Sequence, residues 1–334
     1  MYRYIQKWFL KVWYSQNRWY LFFTPLSCLF YLLSTSRRWF YKNGFFRRYK
    51  AKYPVIVIGN ITVGGTGKTP IVIWIANYFI SIGYKPAIIS RGYSGKVGSN
   101  PIEVSDCSDV RLVGDEALMI AIKSDCPVII HPDRVLALKY LAGRDIDLVI
   151  SDDGLQHYKL HRDYEIVTVD GQRMFGNNRL LPAGPLRESI SRLDSVDTVL
   201  IQKETTGHNQ VGDFYLDGEY ATNLISGEVR AFEKFLDKNV HAIAGIGNPE
   251  RFFRFMTNKG FNVTQHHFED HKQYSLKDIT FNDELNVFMT EKDMTKCQDF
   301  NNEKLWYVPV DVVINDSNIK WLNDIKYILD KGYK

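Results

Sequence analysis

At 334 residues the chain can bury one large core or two ordinary ones, so two lobes are expected. Its four cysteines, Cys28, Cys107, Cys126 and Cys297, lack paired spacing, which argues against a disulfide framework or a zinc site and fits a reducing compartment. The net charge of +4 conceals an asymmetry: residues 1–52 hold eleven Lys/Arg and no Asp or Glu, whereas the remainder carries 31 basic against 38 acidic residues.

That leader is also rich in rings. Eighteen of the first 52 residues are aromatic, including four of the seven tryptophans. Such a segment suits an anionic membrane surface, because rings settle at headgroup depth and Lys/Arg meet phosphates. The uncharged stretch from Trp19 to Ser36 is 18 residues long and contains Pro25, short of the roughly 20 apolar residues of a spanning helix. Lys11 and Arg18 precede it, and Arg37, Arg38, Arg47 and Arg48 follow, so neither end favours crossing. The expectation is a helix embedded in or lying along the cytoplasmic leaflet, with a single spanning anchor as the alternative. A cleaved signal peptide is disfavoured, since no small-residue cleavage site follows. A basic RNA-binding arm is disfavoured by the apolar run, so no nucleic-acid partner is expected.

From Val55 the pattern alternates β-rich and helical runs. Strands are expected at residues 55–61, 86–90, 127–131, 147–151, 165–170 and 198–202, and helices at 71–82, 115–123 and 133–143. Such alternation means an α/β fold, a mainly parallel sheet with helices on both faces and ligands at the carboxyl ends of the strands. Between the first strand and the first helix lies Thr62-Val63-Gly64-Gly65-Thr66-Gly67-Lys68-Thr69, which reads as a P-loop. Its backbone N–H groups would cradle the phosphates of ATP at a helix N-terminus, Lys68 would reach the terminal phosphates, and the Thr69 hydroxyl would hold Mg²⁺. The strict motif has glycine where Thr62 stands, so the match is relaxed.

Other strand ends carry further candidates. Arg91 and Tyr93 follow the second strand, and a guanidinium there suits phosphate. Asp115 and Glu116 open a helix, where ordinary capping explains them by pattern alone. Asp152 and Asp153 end an apolar strand, the place of a Walker B acid beside Mg²⁺. Gln156 and His157 follow at once. The rigid run from Leu180 to Glu188, with Pro182 and Pro185, presents Arg187 and Glu188 as an anion clamp.

After Lys203 the pattern changes. Residues 214–224 suggest a connecting ribbon, and a fresh strand at 240–244 opens a second unit with Gly245-Ile-Gly-Asn-Pro-Glu-Arg-Phe252. That unit continues through 286–290 and 305–309 and ends in a helix near 321–330; Asp270 and His271 within it form a candidate acid–base pair. The expected organisation is a membrane-associated segment over 1–52, a P-loop core over 53–232 and a smaller α/β lobe over 233–334.

Taken together, Gly59-Asn60, Val63–Pro70, Ser90-Arg-Gly-Tyr93, Gly114-Asp-Glu-Ala117, Asp152-Asp-Gly-Leu-Gln-His157, Leu181–Glu188, Gly245–Phe252, Asp270-His271 and Met289-Thr-Glu-Lys-Asp293 resemble the tetraacyldisaccharide 4′-kinase family. The resemblance covers nearly the whole chain, and that family's relaxed P-loop accounts for Thr62. It implies transfer of the γ-phosphate of ATP to the 4′-hydroxyl of a tetraacylated glucosamine disaccharide 1-phosphate, a late step of lipid A biosynthesis. It further implies a P-loop core joined to a smaller lobe by a two-stranded linker, and an N-terminal helix at the cytoplasmic face of the bacterial inner membrane. By the same resemblance Asp115 would accept the sugar hydroxyl proton with His271 tuning it. Lys68, Thr69, Asp152, Asp153 and Glu188 would serve nucleotide and Mg²⁺, with Arg91, Tyr93, Glu116, Gln156, His157 and Arg187 in support. Ser94, His131-Pro132 and Lys272 depart from the family's usual residues. A ParA/MinD-like membrane ATPase is the alternative, but its signature lysine before the paired glycines is Val63 here. The lipid substrate and an anionic membrane surface are the expected partners, with no obligate protein partner.

Overall fold

The computed structural model describes residues 2–15, 18–93, 95–203, 213–314 and 319–331, with side chains from residue 8 onward; Ser94 lies outside them. The fold is mixed α/β and mostly parallel, built on two sheets. The larger has nine strands in the order Asp311–Ile314, Phe214–Asp217, Thr198–Gln202, Tyr164–Asp170, Val55–Gly59, Leu148–Asp152, Pro86–Ser90, Val128–Ile130 and Ile102–Val104. Only its two outermost pairings are antiparallel.

The central strand Val55–Gly59 is buried at all five positions, as a parallel strand covered on both faces requires. Alternation then divides its side chains. Ile56 and Ile58 pack with Ile71, Ile75 and Phe79 of helix Lys68–Ser81 and with Leu118 of helix Asp115–Lys123. Val55 and Val57 face the other way, onto Ala137 and Leu138 of helix Arg134–Tyr140. Both faces of the sheet are therefore core, and chemistry is pushed to the strand ends.

The smaller sheet has six strands, in the order Val229–Ala231, Tyr220–Asn223, Leu305–Val308, Val287–Thr290, Asn239–Ala244 and Asn262–His267. Val240, Ala242 and Ala244 pack on Phe252, Phe253 and Met256 of helix Pro249–Asn258, and Ile243 turns to Met289, Met294 and Leu305 on the opposite face.

Strand pairing divides the chain differently from the expected limits. The ribbon is two strands, one in each sheet, and the crossing lies at Gly218, where a Cβ would come within 2.4 Å of the Pro309 carbonyl. The change of sheet therefore precedes residue 232. The chain also returns: Asp311–Ile314 pairs antiparallel with Phe214–Asp217, and helix Trp321–Asp330 buries Trp321, Leu322 and Ile325 against the large core. The segment 233–334 is thus shared between sheets, because the large core needs that helix as cover. Two antiparallel connections side by side form the bridge.

Helices Tyr2–Tyr14 and Tyr20–Lys42 precede both sheets. The second keeps Pro25 inside it and exposes Phe22, Leu26, Leu29, Leu32 and Leu33; its only buried residue is Ser27. Among the described residues no helix is long and apolar enough to cross a membrane.

Candidate functional site

The glycine-rich loop connects the central strand to helix Lys68–Ser81. Gly67 caps that helix at φ 77°, in the left-handed region where glycine is unstrained, and no acidic side chain occupies the first turn. The positive end of the helix is therefore left for a ligand, with Lys68 and Thr69 in its first turn. The loop is held from beneath: the Asn60 amide donates to the Gly64 carbonyl at 3.2 Å, and the Thr66 and Thr168 hydroxyls meet at 2.7 Å. From above, the small sheet approaches so closely that a Cβ on Gly247 would fall 2.7 Å from the Gly65 nitrogen.

The 180–188 loop closes the near side. Val63 N–H donates to the Pro185 carbonyl and Arg187 N–H to the Ile61 carbonyl, at 2.8 and 2.7 Å, with Thr62 bridged to Leu186. The Arg187 guanidinium then reaches Asn60 Oδ1 at 3.1 Å and Asp153 Oδ1 at 3.0 Å. Lys68 Nζ lies 3.4 Å from the same Asp153 oxygen. Burial opposes a charge on Asp153, but Lys68 and Arg187 overcome it and hold the carboxyl well below the usual carboxylate range.

Asp152 behaves otherwise. It is 2% exposed, accepts from the Ser90 hydroxyl at 2.9 Å, and has no hydrogen-bond partner for Oδ1 among the described residues. Burial, with the negative fields of Glu116 and Asp153, pushes its pKa up to about 6. A buried carboxylate with an orphaned oxygen fits a hard divalent cation. No three His, Cys, Asp or Glu side chains gather as a metal site among the described residues, so such an ion would complete its shell with hydroxyl, phosphate or water oxygens.

Glu188, expected at the metal, has both oxygens committed. Gln156 donates to Oε1 at 2.8 Å, the Tyr158 hydroxyl donates to Oε2, and Arg192 pairs with it at 3.4 Å. Gln156 also donates to the Asn60 carbonyl at 3.1 Å, so this buried network anchors the root of the glycine-rich loop. His157 stands 3.6 Å from Asp133; burial, with Arg134 nearby, pushes its pKa down to about 4, so the ring is neutral. Arg91 is exposed just beyond strand Pro86–Ser90.

Across the lobe junction the helix-opening residues turn out to be more than caps. Gly114, at φ +87°, lies so close to the chain beyond strand Pro86–Ser90 that a Cβ would sit 2.2 Å from the Tyr93 carbonyl. Asp115 behind it is 2% exposed and takes His271 Nδ1 at 2.9 and 3.0 Å on its two oxygens. The Tyr93 ring lies 4.8 Å from the His271 ring, and Asp270 Oδ1 is 3.7 Å from Nε2. His271 itself has φ 61°, a left-handed conformation that turns its ring across the junction.

Two lysines to which the sequence pattern assigns no role complete the cluster. Lys292 Nζ bonds Glu116 and Asp270, each at 2.9 Å, and stands 4.0 Å from Asp115. Fully buried Lys296 bridges Asp293 at 2.8 Å and Asp115 at 3.5 Å. Burial opposes the Lys292 charge, yet Glu116, Asp115 and Asp270 hold the ammonium well above its usual range. Burial likewise opposes the Asp115 charge, but the His271 hydrogen bond, Lys292 and Lys296 hold it well below the carboxylate range. The Met289-Thr-Glu-Lys-Asp293 motif is the one signal in the sequence that points toward them, and without a visible partner it suggests no role.

Comparison with known proteins identifies the family of the chain as a whole. A family model for tetraacyldisaccharide-1-P 4′-kinase matches residues 19–326. A tetraacyldisaccharide 4′-kinase of Nitrosococcus oceani is 47% identical over 308 residues, covering 91% of this chain and 89% of that one. Another from Ruthia magnifica is 46% identical over 302 residues, covering 90% and 95%. The crystal structure of LpxK from Aquifex aeolicus in complex with ATP superposes with a TM-score of 0.75 at 28% identity, covering 93% of this chain and 99% of that one. The chain belongs to the tetraacyldisaccharide-1-P 4′-kinase family.

Proposed function

We propose, from that membership, that this kinase transfers the γ-phosphate of ATP to the 4′-hydroxyl of a tetraacylated disaccharide 1-phosphate, with the donor on residues 62–69 and the acceptor at the Asp115–His271 pair. The observation that carries the reading is the pairing of a glycine-rich loop on one sheet with a buried Asp–His contact made across both lobes. Backbone N–H groups of the loop and Lys68 hold the phosphates, and Arg187 shares the charge of Asp153 with Lys68. Thr69 and Asp152, with Asp153 beside them, would hold Mg²⁺, which would supply charge neutralisation at the phosphates. Glu188 and Gln156 keep the loop in place rather than touching the ion.

The acid–base roles are assigned in the reverse of the expected order. Asp115 is almost inaccessible, and its low basicity makes it a poor proton acceptor. Being ionised it can only accept, so His271 donates to it from Nδ1, and Nε2 is the ring nitrogen turned away from it, 3.7 Å from Asp270 Oδ1. In this reading His271 takes the proton of the 4′-hydroxyl through Nε2, and Asp115 orients the ring and stabilises its charged form. Tyr93 and Arg91 lie on the acceptor side, where Arg91 offers an exposed cation to the substrate's 1-phosphate.

The acceptor is a lipid, and the exposed apolar row of helix Tyr20–Lys42 with its neighbouring Arg37 and Arg38 suits the anionic cytoplasmic face of an inner membrane. The test is transfer of labelled phosphate from ATP to tetraacyl disaccharide 1-phosphate in detergent micelles. Mg²⁺-dependent label in the lipid is expected; hydrolysis of ATP with no label in the lipid would refute the assignment.

A further inference from the structure

The loop from Leu180 to Arg187 touches two parts of the molecule that are far apart in sequence. Pro182 and Pro185 have no N–H, and the loop closes on itself only in part, through Leu181 N–H to the Leu186 carbonyl and Gly184 N–H to the Leu180 carbonyl, so other polar groups find partners outside it. One side is satisfied by the N-terminal helices. Ser27 Oγ donates to the Leu180 carbonyl at 2.9 Å and accepts from Ala183 N–H at 3.0 Å, and Trp13 Nε1 donates to the Pro182 carbonyl at 2.9 Å. The other side is satisfied at the glycine-rich loop and its root, through Pro185 to Val63 and Arg187 to Ile61 and Asn60, and by Asp153 just beyond strand Leu148–Asp152.

A second thread runs parallel. Asn177 N–H donates to the Trp13 carbonyl at 2.8 Å. The neighbouring Arg173 guanidinium lies over the Tyr14 ring at 5.5 Å and donates to the Gly247 carbonyl at 2.9 Å, where Gly247 abuts Gly65. Ser27 makes sense in these terms. It is 8% exposed in the middle of a helix whose neighbours Leu26 and Leu29 face outward, and a serine there is otherwise mildly unfavourable to the helix.

We propose that Ser27 and Trp13 are positioning residues for the nucleotide site: by holding the 180–187 loop they set the backbone of the glycine-rich loop. The N-terminal helices are then part of the phosphate-binding apparatus as well as its attachment to lipid. This rests on the reading that residues 62–69 bind ATP. Removing one neutral hydrogen bond at such a relay changes the geometry of its far end, and a loss of about three- to ten-fold in nucleotide affinity is expected.

The experiment uses the full chain in detergent micelles. Ser27→Ala and Trp13→Phe, the latter keeping an aromatic ring and losing the N–H, are compared with the unaltered protein for calorimetric binding of a non-hydrolysable ATP analogue. KM for ATP, KM for the lipid acceptor and binding to phosphatidylglycerol vesicles are measured alongside. Weaker nucleotide binding and a raised KM for ATP, with KM for lipid and vesicle binding unchanged, are expected. Unchanged nucleotide affinity in a folded Trp13→Phe protein overturns the proposal, and so does an equal rise of both KM values. Should Ser27→Ala not fold, Trp13→Phe alone decides. Failure of the unaltered protein to bind the nucleotide would instead refute the reading of residues 62–69.

Discussion

Asp115 and Asp152 are equally buried, each 2% exposed, yet the protein answers their charges in opposite ways. Asp115, at the lobe junction, is surrounded by His271, Lys292 and Lys296, and its charge is already compensated within the chain. Asp152, at the end of strand Leu148–Asp152, has Glu116 and Asp153 for neighbours and one oxygen without a partner among the described residues. Burial alone raises the pKa of either carboxyl; the sign of the final shift is decided by which charges stand within a few ångströms. The difference separates a carboxylate whose charge is compensated within the chain from one whose charge is not.

Three substitutions would collapse or heighten that contrast. The largest effect is expected from His271→Ala. Loss of a positioned general base lowers kcat by about 10²- to 10⁴-fold, while binding of the ATP analogue, measured by calorimetry, stays within about twofold. A kcat unchanged in that variant would return the base to another residue. Next comes Asp152→Asn, which keeps the Ser90 hydrogen bond and removes the charge. Affinity for Mg²⁺ in the presence of nucleotide should fall roughly ten- to hundred-fold in a titration, with Asp115→Asn leaving it intact. Equal losses in both variants would erase the distinction between the two carboxylates.

The smallest effect concerns pH. Lys292→Met removes a positive charge beside Asp115, Asp270 and the His271 ring. Lys292 is one of the charges that hold the Asp115 carboxyl low, so its loss raises the pKa of Asp115. The acidic limb of the kcat/KM profile should therefore move to higher pH, with Lys292→Arg restoring it. A profile that does not move would confine Lys292 to a mechanical role at the junction.

Much of the fold and part of the site are legible in the order of residues. The strand-end position of Asp152 and Asp153 follows from an apolar run that stops at two acids, and the helix Trp321–Asp330 is expected at nearly its observed limits. Asp115 is not legible as a site residue by pattern alone, because an acid opening a helix satisfies ordinary capping. Glu188 is legible only as part of an Arg–Glu pair on a rigid loop, which suits an anion clamp; its contacts with Gln156, Tyr158 and Arg192 in a buried network belong to the folded structure.

The local pieces are set by the amino acids along the chain. Hydrophobic periodicity specifies strands and helices, the glycines specify a loop free to take left-handed backbone, and the first 52 residues carry eleven basic residues with no acid among them. The pairings exist only in the folded arrangement: which lysines face Asp115, which hydroxyl reaches Asp152, and which sheet receives residues 311–314. Those depend on contacts between residues tens to hundreds of positions apart. Their energies arise only when folding removes water and brings the charges to within a few ångströms.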